Sequence, residues 1–190
     1  MEGSSDQNLA IRPATTEDLP ALLSLMSISV SRLCAASHTE SQMCAMIQSL
    51  DGRYNELINA STYFVICPRG TPNRIIASGG WNVSRASYSL SGDMNPRSNL
   101  AAEGLFGTMA PTVQIRGIYV HPDWARRGLG TRLVKECEAA AQRQGSSVKF
   151  ELHSTVNAVP LYKSCGYSQA DEKFVQLPGA EDLKLVVMRK

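Results

Sequence analysis

The chain has 190 residues, 43% hydrophobic and 19% charged, with a formal net charge of +2. That length suits one domain with its own core, and the composition excludes a disordered or fibrous chain. The charge is too small to call for a nucleic-acid partner, and no apolar run nears the roughly 20 residues that span a bilayer.

Residues 1–7 are polar and small, so they read as a disordered tail without the apolar stretch of a signal peptide. The cytoplasm is the expected location, with a nuclear share open. The five cysteines (Cys34, Cys44, Cys67, Cys137, Cys165) form no CxxC pair and no metal-ligand spacing with His. They are expected to be reduced core thiols, with no metal site.

Asn8–Pro13 predicts a short first strand. Thr15 or Thr16 then caps a helix whose Leu19, Leu22, Leu23, Met26 and Val30 recur at helical spacing. A second helix is predicted over Glu40–Leu50, and one further turn over Asn55–Asn59. Thr62–Cys67 is β-branched and aromatic, and a turn cluster leads from it into Arg74–Val83 as the second arm of a hairpin. Ser84–Pro111, rich in Ser, Gly, Asn and Ala, reads as a long loop and candidate acceptor-site lid. Val113–Val120 is a strand whose alternation slips at Gly117, the mark of a bulge. A helix follows from Gly130 to about Gln144, with Leu129, Leu133, Cys137 and Ala140 as its apolar stripe. Val148–Leu152 is a strand, Asn157–Ser164 a short helix, and Lys173–Leu177 and Leu183–Met188 two closing strands. The order β-α-α-β-β-β-α-β-α-β-β describes one mixed α/β domain over 8–190 without internal repeats.

The segment VHPDWARRGLGT (Val120–Thr131) carries the most chemistry. A strand ends, Pro122 stops it, and Arg126-Arg127-Gly128-Leu129-Gly130 opens a helix. A helix start has unpaired N–H groups and partial positive charge, and so suits phosphate. Glycines allow close backbone approach, and the two arginines add full charge. A plain strand-to-helix connection with solvated arginines is the competing reading. The Walker pattern is absent, and the third glycine of GxGxxG would fall on Leu133.

The wider stretch IYVHPDWARRGLGTRLVKECEAAA resembles the cofactor motif of the GCN5-related N-acetyltransferase (GNAT) superfamily, a V-x-P-like strand end followed by [QR]-x-x-G-x-[GA]. Ala125 departs from its first position. The resemblance implies acetyl-CoA as cosubstrate. Main-chain groups of Ile118, Tyr119 and Val120 would pair with pantetheine, and the amides of Arg126, Arg127, Gly128, Leu129, Gly130 and Thr131 would hold the pyrophosphate. It also implies a central twisted mixed sheet flanked by helices.

ELHSTVNAVPLYKSCGYSQ (Glu151–Gln169) resembles the family's later motif through Asn157, Leu161, Tyr162, Gly166 and Tyr167, with Pro160 at the alanine position. The resemblance makes Tyr162 the acid that protonates the departing thiolate and Asn157 a pantetheine contact. Asn157 is equally a preferred helix N-cap. A neutral amine needs a base. Candidates are Glu151 and His153, which share one side of their strand, and His121 and Asp123 at the turn. Gln114, where some members place a glutamate, cannot serve.

The expected reaction is direct attack of a primary amine, on a small molecule, on the thioester of acetyl-CoA. A protein or peptide acceptor and a non-catalytic acyl-CoA-binding module are the alternatives; Tyr162 argues against the latter. Trp81, Tyr88, Met94, Leu105, Phe106 and Met109 either line an acceptor pocket or anchor the long loop, and Asp93 and Glu103 could attract a cationic amine or lie on the surface. The resemblance makes a homodimer a reasonable expectation, although no segment identifies an interface.

Overall fold

A computed structural model describes residues 8–84, 112–145 and 149–190. The expected tail, Val148 and residues 85–111, which hold Tyr88, Asp93, Met94, Glu103, Leu105, Phe106 and Met109, lie outside the described residues. In chain order the elements are β1 (Leu9–Pro13), α1 (Leu19–Leu33), α2 (Glu40–Gln48), α3 (Asn55–Asn59), β2 (Tyr63–Pro68) and β3 (Ala77–Ser84). Then come β4 (Thr112–Val120), α4 (Leu129–Gln144), β5 (Lys149–Thr155), α5 (Val159–Ser164), β6 (Ser168–Leu177) and β7 (Ala180–Arg189).

The strands form one mixed sheet in the order β1-β2-β3-β4-β5-β7-β6. Every neighbouring pair is antiparallel except β4 and β5. A parallel pair needs a crossover, and α4 supplies it. Its buried stripe of Leu129, Leu133, Val134, Cys137, Ala140 and Ala141 packs on Trp81, Val113, Ile115, Phe150, Leu152 and Met188. Full burial of a side chain such as Leu133 is worth about 2 kcal/mol. The opposite face is covered by α1 and α3, through Leu22, Leu25, Met26, Leu57 and Ile58 against Tyr63 and Val65.

Several expectations shift in detail. In α1, Leu25 is buried, while Leu19 and Leu23 are only partly so. β5 runs three residues beyond the predicted end, to Thr155, and so includes His153 on the side it was expected to share with Glu151. The last two strands are longer than their apolar pattern and form a hairpin of Ser168–Leu177 and Ala180–Arg189. SQADEKF has no alternating apolar pattern, since β6 is an exposed sheet edge whose strand state comes from pairing with β7. Four of the cysteines are buried as expected, but Cys44 is exposed because α2 turns only Ala45 fully into the core. Trp81 is 2% exposed in the core under α4 and does not line an acceptor pocket.

The bulge expected at Gly117 is present: Ser78 pairs with Tyr119 and Gly80 with Arg116, so β4 carries one extra residue. Gly117 has φ +61°. The bulge resets the alternation, so that Val113, Ile115, Ile118 and Val120 all contribute to the core under α4.

Among the described residues no helix is long and apolar enough to cross a membrane. The entry to α1 is fixed by Asp18. Its carboxylate accepts from Thr15 N–H at 2.8 Å and receives both guanidinium nitrogens of Arg12 at 2.7 and 2.8 Å. The Arg12 hydrogen bond is the main cause that holds Asp18 below its ordinary 3.8, against the opposing effect of burial. Asp18→Ala should lower unfolding free energy by about 1–3 kcal/mol, measured by urea denaturation at pH 7. A depressed carboxylate contributes above its unfolded pKa and loses that contribution as pH falls through the folded value. The gap between wild type and variant should therefore narrow below pH 3.8; a gap constant with pH would remove the ion pair from the account.

Candidate active site

β4 and β5 pair over Thr112–Lys149, Val113–Phe150 and Gln114–Glu151 and then part. Among the described residues, β4 beyond Gln114 is paired only with β3, and β5 beyond Glu151 only with β7. The facing edges are left open, with main-chain polar groups available to an extended ligand. Ile118 and Val120 on this half of β4 are partly buried against the core, as are Trp124, Val159 and Leu161. Tyr63 holds the bulge at its base, because its hydroxyl donates to Gly117 C=O at 2.9 Å.

At the end of β4 the chain makes a 3-10 turn, Pro122–Trp124, and enters α4. Arg126 at φ +64° and Gly128 at φ +78° both adopt the left-handed conformation. The first helical bond is Arg132 N–H to Gly128 C=O, at 2.9 Å. Among the described residues, the N–H groups of Arg126 to Thr131 donate to no other backbone group. Alternating left-handed residues before a helix start make a concave nest of N–H groups, which binds anions. A Cβ on Gly128 would meet nothing within 4 Å, so the space above the nest is open. The nest thus fits a pyrophosphate.

Gly130 has a packing role that the sequence reading did not contain. A Cβ there would lie 2.9 Å from the Leu161 side chain. Its missing side chain lets α5 close on α4, and this contact joins the phosphate turn to the residue before Tyr162. Arg127 stands 5.0 Å over the Trp124 ring, which pre-orders its charge beside the nest.

Tyr162 is 7% exposed and packs edge-to-face on Tyr167 at 6.2 Å. Its hydroxyl bonds to no other described residue. Burial pushes its pKa well up, so it stays protonated and able to donate. Asn157 sits in the 3-10 turn Val156–Ala158 and caps neither that turn nor α5. Instead its Nδ2 donates to Leu33 C=O at 2.9 Å, tying the end of α1 to the turn before Tyr162.

Among the base candidates, Glu151 is bound by Arg189 Nε at 2.8 Å, and its other oxygen is 3.7 Å from His153 Nε2. Burial foremost, then Lys173, holds His153 below its ordinary 6.5, with Arg116 and Arg189 acting alike and Glu151 opposing. His121 and Asp123 serve the turn itself, as His121 Nδ1 accepts from Asp123 N–H at 3.3 Å. Arg116 was not among the sequence candidates. Strand alternation from Gln114 would have found it on the same face.

Comparison with known proteins places this geometry. The profile of the acetyltransferase (GNAT) domain matches residues 99–189. A GCN5-related N-acetyltransferase from Rhodopseudomonas palustris superposes with a TM-score of 0.68 at 21% identity, over 95% of this chain and 94% of that one. Residues 99–189 carry the match to the GNAT acetyltransferase domain, and the described fold is the GNAT fold. The PaiA N-acetyltransferase of Thermoplasma acidophilum, solved with coenzyme A, shares the GNAT fold at TM-score 0.63 and 15% identity, over 96% of this chain and 98% of that one. A tRNA(Met) cytidine acetyltransferase of Aeropyrum pernix is 30% identical over 95 residues, 46% of this chain but only 13% of that protein's length.

Gly128→Glu places a carboxylate in the nest and strains a left-handed position. Acetyl-CoA at 100 times its Kd should raise wild-type stability by about 2.7 kcal/mol. The variant should melt cooperatively and show no such rise; a normal rise would remove the nest from the cofactor site. Gly130→Ala should cost about 1–3 kcal/mol of stability through its collision with Leu161, checked by thermal unfolding without ligand.

Proposed function

We propose that this protein transfers the acetyl group of acetyl-CoA to a primary amine, and that the amine belongs to a small molecule. The observation that carries the reading is the opening between β4 and β5, with an N–H nest at one end and a buried, protonated tyrosine beside it. Acetyl-CoA, when bound, supplies an acyl group activated as a thioester. The residues that would hold it are the open β4 edge at Ile118–Val120 and the nest from Arg126 to Thr131.

Tyr162 donates its O–H to the sulfur as negative charge develops there. Its raised pKa keeps the proton in place at neutral pH. His153 takes the proton from the acceptor nitrogen. An alkylammonium has a pKa of about 10, so the transfer to His153 is uphill until the N–C bond forms and makes the N–H acidic. The ring is neutral at pH 7, which suits a base. Glu151, held by Arg189, is a poorer base but well placed to orient His153.

The preference for a small acceptor is supported by a strap between α2 and the β6–β7 hairpin, which we take to border the acceptor site. At the start of α2, Thr39 and Ser41 donate to Glu181 at 3.0 and 2.8 Å, and Gln42 Nε2 donates to Asp182 C=O at 3.0 Å. The strap joins α2 to the β6–β7 hairpin. A groove for a protein tail there would require these bonds to open.

Two variants test the assignment by thiol release from acetyl-CoA. Tyr162→Phe should lower kcat by roughly 10²-fold or more while the Kd of acetyl-CoA changes little; an unchanged kcat removes the acid role. For wild type, kcat/KM should fall on the acid side, with a midpoint below 6.5, because protonation of His153 removes the base. His153→Gln should lose most activity and flatten that limb. A limb that persists assigns the base elsewhere.

A further inference from the structure

Because β4 and β5 run parallel, their side chains advance in step. Gln114 and Glu151 are the last paired residues, so the next residues on that face, Arg116 and His153, stand opposite each other where the strands first part. Arg116 is exposed, yet its guanidinium is not free to wander. Its Nε donates to Asn82 Oδ1 at 3.0 Å, and its Nη2 donates to Gln114 Oε1. Both partners are neutral amides, and among the described residues Arg116 meets no carboxylate.

Arg189 and Lys173 add positive charge around His153, and among the described residues Glu151 supplies the carboxylate beside it, already bound by Arg189. A guanidinium pinned by neutral groups keeps several N–H donors pointing outward in a fixed plane, an arrangement that matches a carboxylate or phosphate. The same positive field disfavours an acceptor that brings only an ammonium. An acceptor with its own anion a few bonds from the nitrogen meets the field with matching charge.

We propose that Arg116 binds an anionic group, carboxylate or phosphate, carried by the acceptor close to its amine, so that the substrate is a small zwitterionic amine such as an α-amino acid. This rests on the acetyl-transfer reading above. Arg116 acts as the specificity-determining residue, anchoring the anion while the amine lies toward His153. Asn82 and Gln114 position the guanidinium.

The test uses the full chain and acetyl-CoA with paired acceptors: α-amino acids against their decarboxylated amines, and phosphoethanolamine against ethanolamine. CoA release and the melting temperature with acetyl-CoA are both recorded. The anionic member of at least one pair should be favoured in kcat/KM by roughly 10- to 100-fold, the usual worth of a charge-assisted hydrogen bond. Arg116→Gln should collapse that ratio toward one, chiefly through the KM of the anionic acceptor, and Arg116→Lys should restore part of it. Preference in the amino-acid pairs identifies carboxylate, and preference in the phosphoethanolamine pair identifies phosphate. A wild type that favours the decarboxylated amines overturns the proposal, as does a ratio unchanged in Arg116→Gln. If acetyl-CoA raises the melting temperature but no anionic amine is acetylated, the anion site is wrong and the cofactor site stands. If acetyl-CoA neither binds nor reacts, acetyl transfer itself falls.

Discussion

Parallel strands hold together only while their ladder of hydrogen bonds continues, and here the ladder between β4 and β5 stops after Gln114 and Glu151. Everything else in the candidate site is arranged around that break. A sheet that pairs fully has no room for a ligand between its strands. A sheet that parts in its middle leaves polar edges that would be costly to bury unpaired, so the gap is suited to an extended polar chain. The bulge at Gly117 lies on the diverging half of β4, and the Tyr63 hydroxyl fixes its carbonyl.

The two sides of the gap are locked to each other by a few contacts. Gly130 lets Leu161 sit against the first turn of α4, which joins the N–H nest to the helix that carries Tyr162. Asn157 ties that helix's approach to the end of α1. Through these contacts, the N–H nest, the helix of Tyr162 and the end of α1 share one frame. Side-chain chemistry in such a site needs geometry held to a fraction of an ångström, and loop residues alone would not supply it.

The faces of β5 divide the labour. Phe150, Leu152 and Ser154 turn into the core under α4, and Glu151 and His153 turn the other way, toward Arg116 and Arg189. The apolar face stabilises the strand, which leaves the polar face free to carry charge that would otherwise oppose folding. Arg189 spends its charge on Glu151, and Glu151 reaches His153. Burial sets the ionisation of His153 first, and the charged neighbours of this row adjust it.

Local chemistry made much of this legible from the chain alone. The strand-turn-helix around Arg126–Gly130 follows from proline, glycine and the apolar stripe of α4. The bulge at Gly117 follows from a slip in alternation, and the family follows from two motifs. Other features were decided only by tertiary structure. β6 is a strand because β7 pairs with it, not because SQADEKF prefers to be one. The packing of Gly130 on Leu161, thirty-one residues on in sequence, exists only after folding. Trp81 fills the core and Asn157 Nδ2 holds the end of α1, and neither packing partner can be read from spacing. Arg116 gained its place for the same reason: alternation sets its face, but only the parallel register of β4 and β5 sets it opposite His153. Sequence determines which residues can do chemistry and on which side of an element they lie. The meeting of distant elements decides which of them are brought together.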